Sequence, residues 1–349
     1  MSEGGTPTSR RHHTVPKFYL RGFAEGETVL TVALPGHRRY KQSVNDASVE
    51  TDFYALPGHE AGDDVFEKAL SSVEAAAGAV LKKVSSGMWP LGERDRTTLS
   101  YYIALQAART QSQRRTADSL AAQIMRLDIG LGGQARFRDR LQSRVGELGE
   151  GRLDELWKQS VRPEGPPIRI SNARFTEQIR STAESIVPYL VGRPWTLVRF
   201  DKRSLVTSDA PVGLVQQPDE NPWEGVGYLT AWGVTMPLTR KLGLVLGDPM
   251  PFADKVPLER VRRGELDTLM PVGTVQMEKF LNEQTISHAS KWIYLHPADE
   301  RFVPDELPEP NLVSMQMQGE PWEFNGEPWG RVKTEPEHDG GRNEPGSSQ

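Results

Sequence analysis

The chain has no cysteine. That excludes disulfides, thiolate catalysis and cysteine-ligated zinc, and it fits a cytoplasmic protein. No apolar run approaches the roughly 18–20 residues that span a bilayer, so no membrane partner is expected. The first eleven residues lack the apolar segment of a secretory signal. Neither sign of charge is in large excess, with 42 Lys and Arg against 47 Asp and Glu. The net charge is -5, so the whole molecule does not read as a nucleic-acid binder, although a local basic patch is compatible with it. Also missing are a Walker loop, a Gly-x-Gly-x-x-Gly turn opening a helix, a Gly-x-Ser-x-Gly elbow and a His-Glu-x-x-His helix. No tandem repeat is present.

What remains is a globular composition. The chain has 349 residues, 37% hydrophobic and 26% charged, enough for one large domain or two ordinary ones. Residues 1–10 read as a disordered arm and 333–349 as a disordered tail, both poor in apolar side chains. Between them, 11–297 reads as a single domain, followed by an irregular extension over 298–332.

Within that domain the class is α+β: an N-terminal hairpin and a helical half, about 60–192, followed by a β-rich half, about 193–297. Thr28–Val32 and Tyr40–Val44 flank Pro35-Gly36 as a hairpin. Phe66, Leu70, Val73, Ala77, Val80 and Val84 recur at helical spacing, with Asp63 or Asp64 as cap and Gly87 as stop. A longer helix runs from Glu93 to about Leu127, with an interruption near Arg114, and Gly130–Gly133 breaks it from a further Arg-rich helical stretch. A last helix, about Asn172–Val191, should be kinked or shortened by Pro188. After Pro194 short β-rich segments follow: Trp195–Phe200, Leu205–Thr207, Tyr228–Met236, Leu242–Leu246 and Trp292–Leu295, with Pro257–Asn282 helical in parts.

One pattern stands out on the long helix. Leu99, Ile103, Ala117, Ala121 and Ile124 fall on one face, and Gln106, Thr110 and Gln113 interrupt that face with Arg109 at its edge. Polar groups in a core position need partners or a ligand, because leaving them unpaired costs about 1–3 kcal/mol each.

Several blocks occur in a fixed order: His13-Thr14-Val15-Pro16-Lys17-Phe18-Tyr19-Leu20-Arg21-Gly22-Phe23, Val49–Tyr54, Glu67 and Glu74, Ile103–Thr110, Leu205–Val212 around Thr207-Ser208-Asp209-Ala210-Pro211, and Leu281-Asn282 with Trp292-Ile293-Tyr294. Together they resemble the family catalogued as domain of unknown function 4238, over roughly residues 10 to 297. One departure is Lys291, where that pattern leads one to expect arginine before the last strand. The resemblance supplies positions and limits and implies no activity.

The candidate chemistry follows from these positions. His13 can act as general acid or base, or fix the N-terminal arm through a main-chain bond; His12 reads as its solvated neighbour. Asp209 sits where Pro211 forces a turn at a strand end, presenting a carboxylate or, with Ser208, satisfying turn amides. Arg109 can bind a phosphate or carboxylate bidentately, with Gln106 and Thr110 orienting substrate, or can pair with Glu67 or Glu74. Glu67 and Glu74 face nearly the same way and are weak candidates for a divalent metal, which is possible but not favoured. Asn282 either positions a ligand or bonds a loop. Trp223, Trp232, Trp322 and Trp329 lie among prolines and glycines and read as loop anchors or groove lining.

The reading these residues support is a hydrolase or transferase acting on a phosphate-containing substrate such as a nucleotide or nucleic acid, with His13, Asp209 and Arg109 catalytic and Gln106, Thr110, Ser208 and Asn282 binding. The alternative is a non-catalytic ligand-binding or interaction module, as in a bacterial defence or stress system. A small-molecule or nucleotide ligand suits both, nucleic acid stays open as a partner, and nothing in the sequence fixes an oligomeric state.

Overall fold

Thr28–Ala33 and Arg38–Ser43 form a hairpin, yet the other strand that Thr28–Ala33 pairs with lies some 260 positions on in the chain. The computed structural model describes residues 10–217, 226–311, 324 and 326–328. In chain order the strands and helices are β1 (Arg11–His13), α1 (Lys17–Leu20), β2 (Thr28–Ala33), β3 (Arg38–Ser43), β4 (Val49–Thr51), α2 (Val65–Ser85), α3 (Glu93–Ala108), α4 (Gln111–Val145), α5 (Glu150–Val161), α6 (Asn172–Val191), β5 (Trp195–Arg199), β6 (Thr207–Ser208), β7 (Gly213–Val215), β8 (Gly233–Thr239), β9 (Leu242–Leu246), α7 (Leu258–Arg262), β10 (Thr268–Met270), α8 (Val275–His288) and β11 (Trp292–Leu295). The fold is α+β. The residues 1–9, Trp223, Trp322, Trp329 and the expected tail lie outside the described residues. Trp232 is half exposed in the approach to β8.

Three sheets form. β1 pairs antiparallel with β4. A five-stranded sheet runs β10-β5-β9-β8-β7, parallel only between β10 and β5. A four-stranded antiparallel sheet runs β3-β2-β11-β6, so the early hairpin closes onto the last strand. β10 was not anticipated by the sequence reading, its three residues being half exposed and short of a period.

By their contacts the described residues divide into two units, one of 10–117 with 170–311 and one of 118–169 with 324 and 326–328. The limits 11–297 drawn from sequence run across this division. In the first unit, α2 buries Leu70, Ala77, Val80, Leu81 and Val84, and α3 is buried or half-buried from Thr98 onward. Arg96 of α3 is itself buried; it lies 4.2 Å from the Trp195 ring centre and pairs with the buried Asp267. A Cβ on Gly243 would stand 2.5 Å from Leu281 Cδ1, so glycine there lets α8 approach β9. A smaller cluster (Leu30, Val32, Val206, Ile286, Ile293 and Leu295) fills one side of the four-stranded sheet. In the second unit, Trp157 of α5 packs edge-on against Phe137 with ring centres 5.7 Å apart.

Two helix expectations are corrected and one is met. The interruption expected near Arg114 in the helix from Glu93 falls earlier, at Arg109 and Thr110, and Thr110 Oγ1 accepts the Gln113 N–H at 3.1 Å as a side-chain cap. The apolar face therefore does not continue through the junction, and Ile124 is 54% exposed. The break expected over Gly130–Gly133 is present: Gly133, with φ 76° and ψ 166°, leaves the helical region, and the segment labelled α4 is two helices joined across a kink there. Pro188 does not shorten α6, because it stands in the last turn, where a missing N–H removes a single ladder bond, and its carbonyl still accepts from Gly192 at 3.2 Å.

Candidate functional site

Strand β11 alternates. Ile293 and Leu295 enter the small apolar cluster, which turns Trp292 and Tyr294 to the other face. Across the ladder Trp292 is level with Ala33 and Arg38, and Tyr294 with Thr31, Tyr40 and Thr207. This face therefore carries Arg38, Tyr40 and Gln42 from β3, Trp292 and Tyr294 from β11, and Asp209 just past β6. Tyr40, Gln42, Trp292, Tyr294 and Asp209, with Thr14, Asp46, Ser48, Val49, Glu50, Gln111 and Lys291, line a cleft of about 320 Å³ over it, and Arg38 stands on the same face outside that lining.

Asp209 is 6% exposed, and its carboxylate accepts the main-chain N–H groups of Ser290 (2.8 Å), Lys291 (3.0 Å) and Trp292 (3.3 Å). Burial pushes this carboxyl up to about 6, against the three amides and the positive charge of Arg115. The side chain pins the start of β11. Ser208 Oγ accepts the Ala210 N–H at 3.2 Å within the same turn.

Ser48 lies opposite, in the left-handed region with φ 57°. Its hydroxyl is 2.6 Å from Thr14 Oγ1, accepts the Val15 N–H at 3.0 Å and bonds the Tyr294 hydroxyl. Together these contacts hold a conformation that serine rarely takes.

Glu50 is the titratable group that faces this cleft half-buried. Burial pushes its carboxyl up, with the Lys291 ammonium pulling the other way. The Gln111 side-chain amide donates to it. Asp46 is paired with Arg11 at 2.6 Å. Lys291 is exposed, with Nζ 4.8 Å from the Trp292 ring centre, and Trp292 meets Tyr40 edge-on at 6.3 Å.

His13 does not line the cleft, although its neighbour Thr14 does. Its Nδ1 is 3.2 Å from the Ala47 carbonyl, which only accepts, so Nδ1 carries the proton and Nε2 the lone pair. Burial, then the charges of Lys17, Arg11 and Arg109, hold the ring down at about 4, so it is neutral near pH 7. His12 is not a solvated neighbour. It is 1% exposed, accepts the Tyr54 N–H on Nδ1 at 2.8 Å, stacks on Tyr54, and points Nε2 at Glu67 across 3.5 Å. Alternation along β1 turns one of the two rings inward, and that ring is His12.

The polar island is also paired inside the protein. Arg109 is 1% exposed and donates from Nη1 to Glu74 Oε1 at 2.8 Å. Gln106 turns its amide oxygen to Arg109, accepting from Nε at 2.9 Å. The Tyr54 hydroxyl donates to the Arg109 carbonyl at 3.4 Å. Glu67 and Glu74 thus face different partners, and among the described residues no group of three or more His, Asp or Glu side chains is placed to hold a metal. Asn282 accepts the Val206 N–H at 3.0 Å and donates to the Ser204 carbonyl (3.2 Å) and Glu278 (2.6 Å), joining α8 to the run into β6.

Of the residues singled out from sequence, Asp209 reaches the cleft; His13, Gln106, Arg109, Thr110, Ser208 and Asn282 stand outside its lining, several as chain neighbours of residues that form it. Sequence reasoning missed Tyr40, Gln42, Ser48, Glu50, Gln111 and the position of Lys291. The signal for the first two was the alternation Arg38, Tyr40, Gln42 along β3.

Among the described residues no helix is long and apolar enough to cross a membrane. No curated protein matches the chain, and no solved structure matches it. A family model described as "Protein of unknown function (DUF4238)" matches residues 11–299, and the chain belongs to that family.

Proposed function

We propose that the protein is a hydrolase or transferase acting on a phosphate-containing substrate such as a nucleotide or nucleic acid, and that the cleft on the β3-β2-β11-β6 sheet is its site. Glu50 carries this reading. It is a half-buried carboxyl, pushed up by burial, beside the Lys291 ammonium in a polar hollow. A carboxyl whose proton affinity burial has raised is a candidate for accepting and returning a proton. Lys291 is a cation in the lining available to a phosphate, and Tyr40, Gln42 and Thr14 offer polar groups that orient the rest of the molecule. In this reading Asp209 positions the strand that bears Lys291, and Arg109 is committed to Glu74.

The test is incubation with a panel of nucleotides and phosphorylated small molecules, with product separated chromatographically. Glu50→Gln is expected to lower turnover at least about 100-fold while ligand still raises the melting temperature. Unchanged turnover in that variant would overturn the assignment.

A second reading, a non-catalytic ligand-binding module of a bacterial defence or stress system, is favoured by one observation. Asp209 already takes three main-chain amides and Glu50 already takes the Gln111 amide. It expects a ligand-induced rise in melting temperature with no product after long incubation.

A further inference from the structure

The cleft face repeats one arrangement twice. The Arg38 guanidinium stands 4.8 Å from the Tyr40 ring centre, and the Lys291 ammonium 4.8 Å from the Trp292 ring centre. Arg38 and Trp292 are level across the ladder through Ala33, and the two rings meet at 6.3 Å with planes at 88°. Both cations are exposed, and neither has a carboxylate in ion-pair contact among the described residues. Other basic groups near this face are committed: Arg39 to Glu300 and Arg11 to Asp46.

Each cation lies over one face of its ring, so an unpaired base stacks on the face that the cation does not cover, and the cation accepts the phosphate attached to that base. One such pair suits one nucleotide. Two pairs on one sheet face suit two nucleotide units joined in a chain. β3 is the edge of its sheet, so no further strand closes the face beyond Tyr40. Base pairing would hide the stacking faces, which restricts the ligand to an unpaired strand.

We propose that the ligand of this cleft is a single-stranded nucleic acid, held by Tyr40 with Arg38 and by Trp292 with Lys291. The inference rests on the reading of the cleft as a phosphate-ligand site and narrows it from any phosphate compound to a polynucleotide. The net charge of -5 does not oppose it, because the contact needs only these two unpaired cations.

The probes are fluorescein-labelled oligothymidylate and oligouridylate of about eight nucleotides, a length within the usual footprint of one single-strand module. Binding to the full chain is followed by fluorescence anisotropy. Two engaged phosphates predict a salt slope of about -1.4, so affinity falls roughly 7-fold between about 50 and 200 mM salt. Arg38→Gln and Lys291→Gln, both at exposed positions, should each reduce that slope by about 0.7 and weaken binding several-fold, with unchanged melting temperature. A mononucleotide should compete only at far higher concentration.

Two results overturn the inference alone: oligomer binding that is unaltered in both variants, or binding of a free nucleotide without binding of either oligomer. Failure of oligomer, nucleotide and inorganic phosphate alike overturns the cleft reading as well.

Discussion

Asp209 holds Lys291 by its main chain and not by its charge. Oδ2 accepts the Lys291 N–H at 3.0 Å, while the Lys291 side chain turns away over Trp292. The residue that faces the cleft is placed by a carboxylate that is itself almost sealed from solvent. Asp209→Ala would leave three main-chain N–H groups without an acceptor, at about 1–3 kcal/mol each where water cannot replace it. A loss of several kcal/mol in urea denaturation is expected. An inactive Asp209→Ala variant of wild-type stability would assign the carboxylate to direct ligand contact instead.

His13 makes stability depend on pH. Its ring titrates at about 4 when folded, below the ordinary value of 6.5. Between those values the unfolded chain binds more protons, so stability is full above the upper value and falls as pH drops through the window. The ring is partly exposed, which limits the loss to on the order of 1–2 kcal/mol. In His13→Asn the side-chain amide can still donate to the Ala47 carbonyl and has no proton to gain. Urea midpoints at about pH 7.5 and 4.5 should differ less in that variant than in the wild type. Equal differences would show that His13 is not held neutral.

The Arg109–Glu74 pair is a buried commitment. Glu74→Ala would strand a guanidinium that is 1% exposed, with Gln106 as its remaining side-chain acceptor. Breaking such a pair from one side costs up to about 3–5 kcal/mol, and replacing both partners by apolar side chains of similar size restores much of it. A double-mutant cycle with Arg109→Met and Glu74→Leu measures this. A loss below about 1 kcal/mol in Glu74→Ala would mean that the guanidinium finds other partners or solvent.

Ser48 combines a left-handed backbone with a hydroxyl that three groups use. Ser48→Ala keeps the unfavourable φ and loses the hydroxyl; Ser48→Gly loses the hydroxyl but accepts the φ. Ser48→Gly should therefore be the more stable of the two, by up to about 1 kcal/mol in thermal or urea melts. The reverse order would show that the backbone there relaxes freely.

Much of the secondary structure was legible because it rests on local periodicity. α2 shows its core stripe in Leu70, Ala77 and Val84, and the β2–β3 hairpin shows in its turn residues. The polar island was visible for the same reason, as Gln106 and Arg109 break an apolar spacing. What closed it, Glu74 on another helix, is a tertiary contact with no local mark. The cleft was harder to see. Trp292 and Tyr294 alternate with Ile293 and Leu295, and all four are apolar or aromatic, so the two faces of β11 cannot be told apart by hydropathy. The phase of β1 was equally hidden, since His12 and His13 are chemically identical until one is turned inward.

The chain leaves the first unit after residue 117 and re-enters it at 170, and the two crossing points are neighbours: Arg114 donates to the Ile170 carbonyl at 2.8 Å and to Asn172 Oδ1 at 3.1 Å. A detour whose ends already touch adds little closure entropy however long it becomes. The cleft-bearing body can thus tolerate lengthening, trimming or outright exchange of that excursion, which makes it a natural graft point for a foreign module.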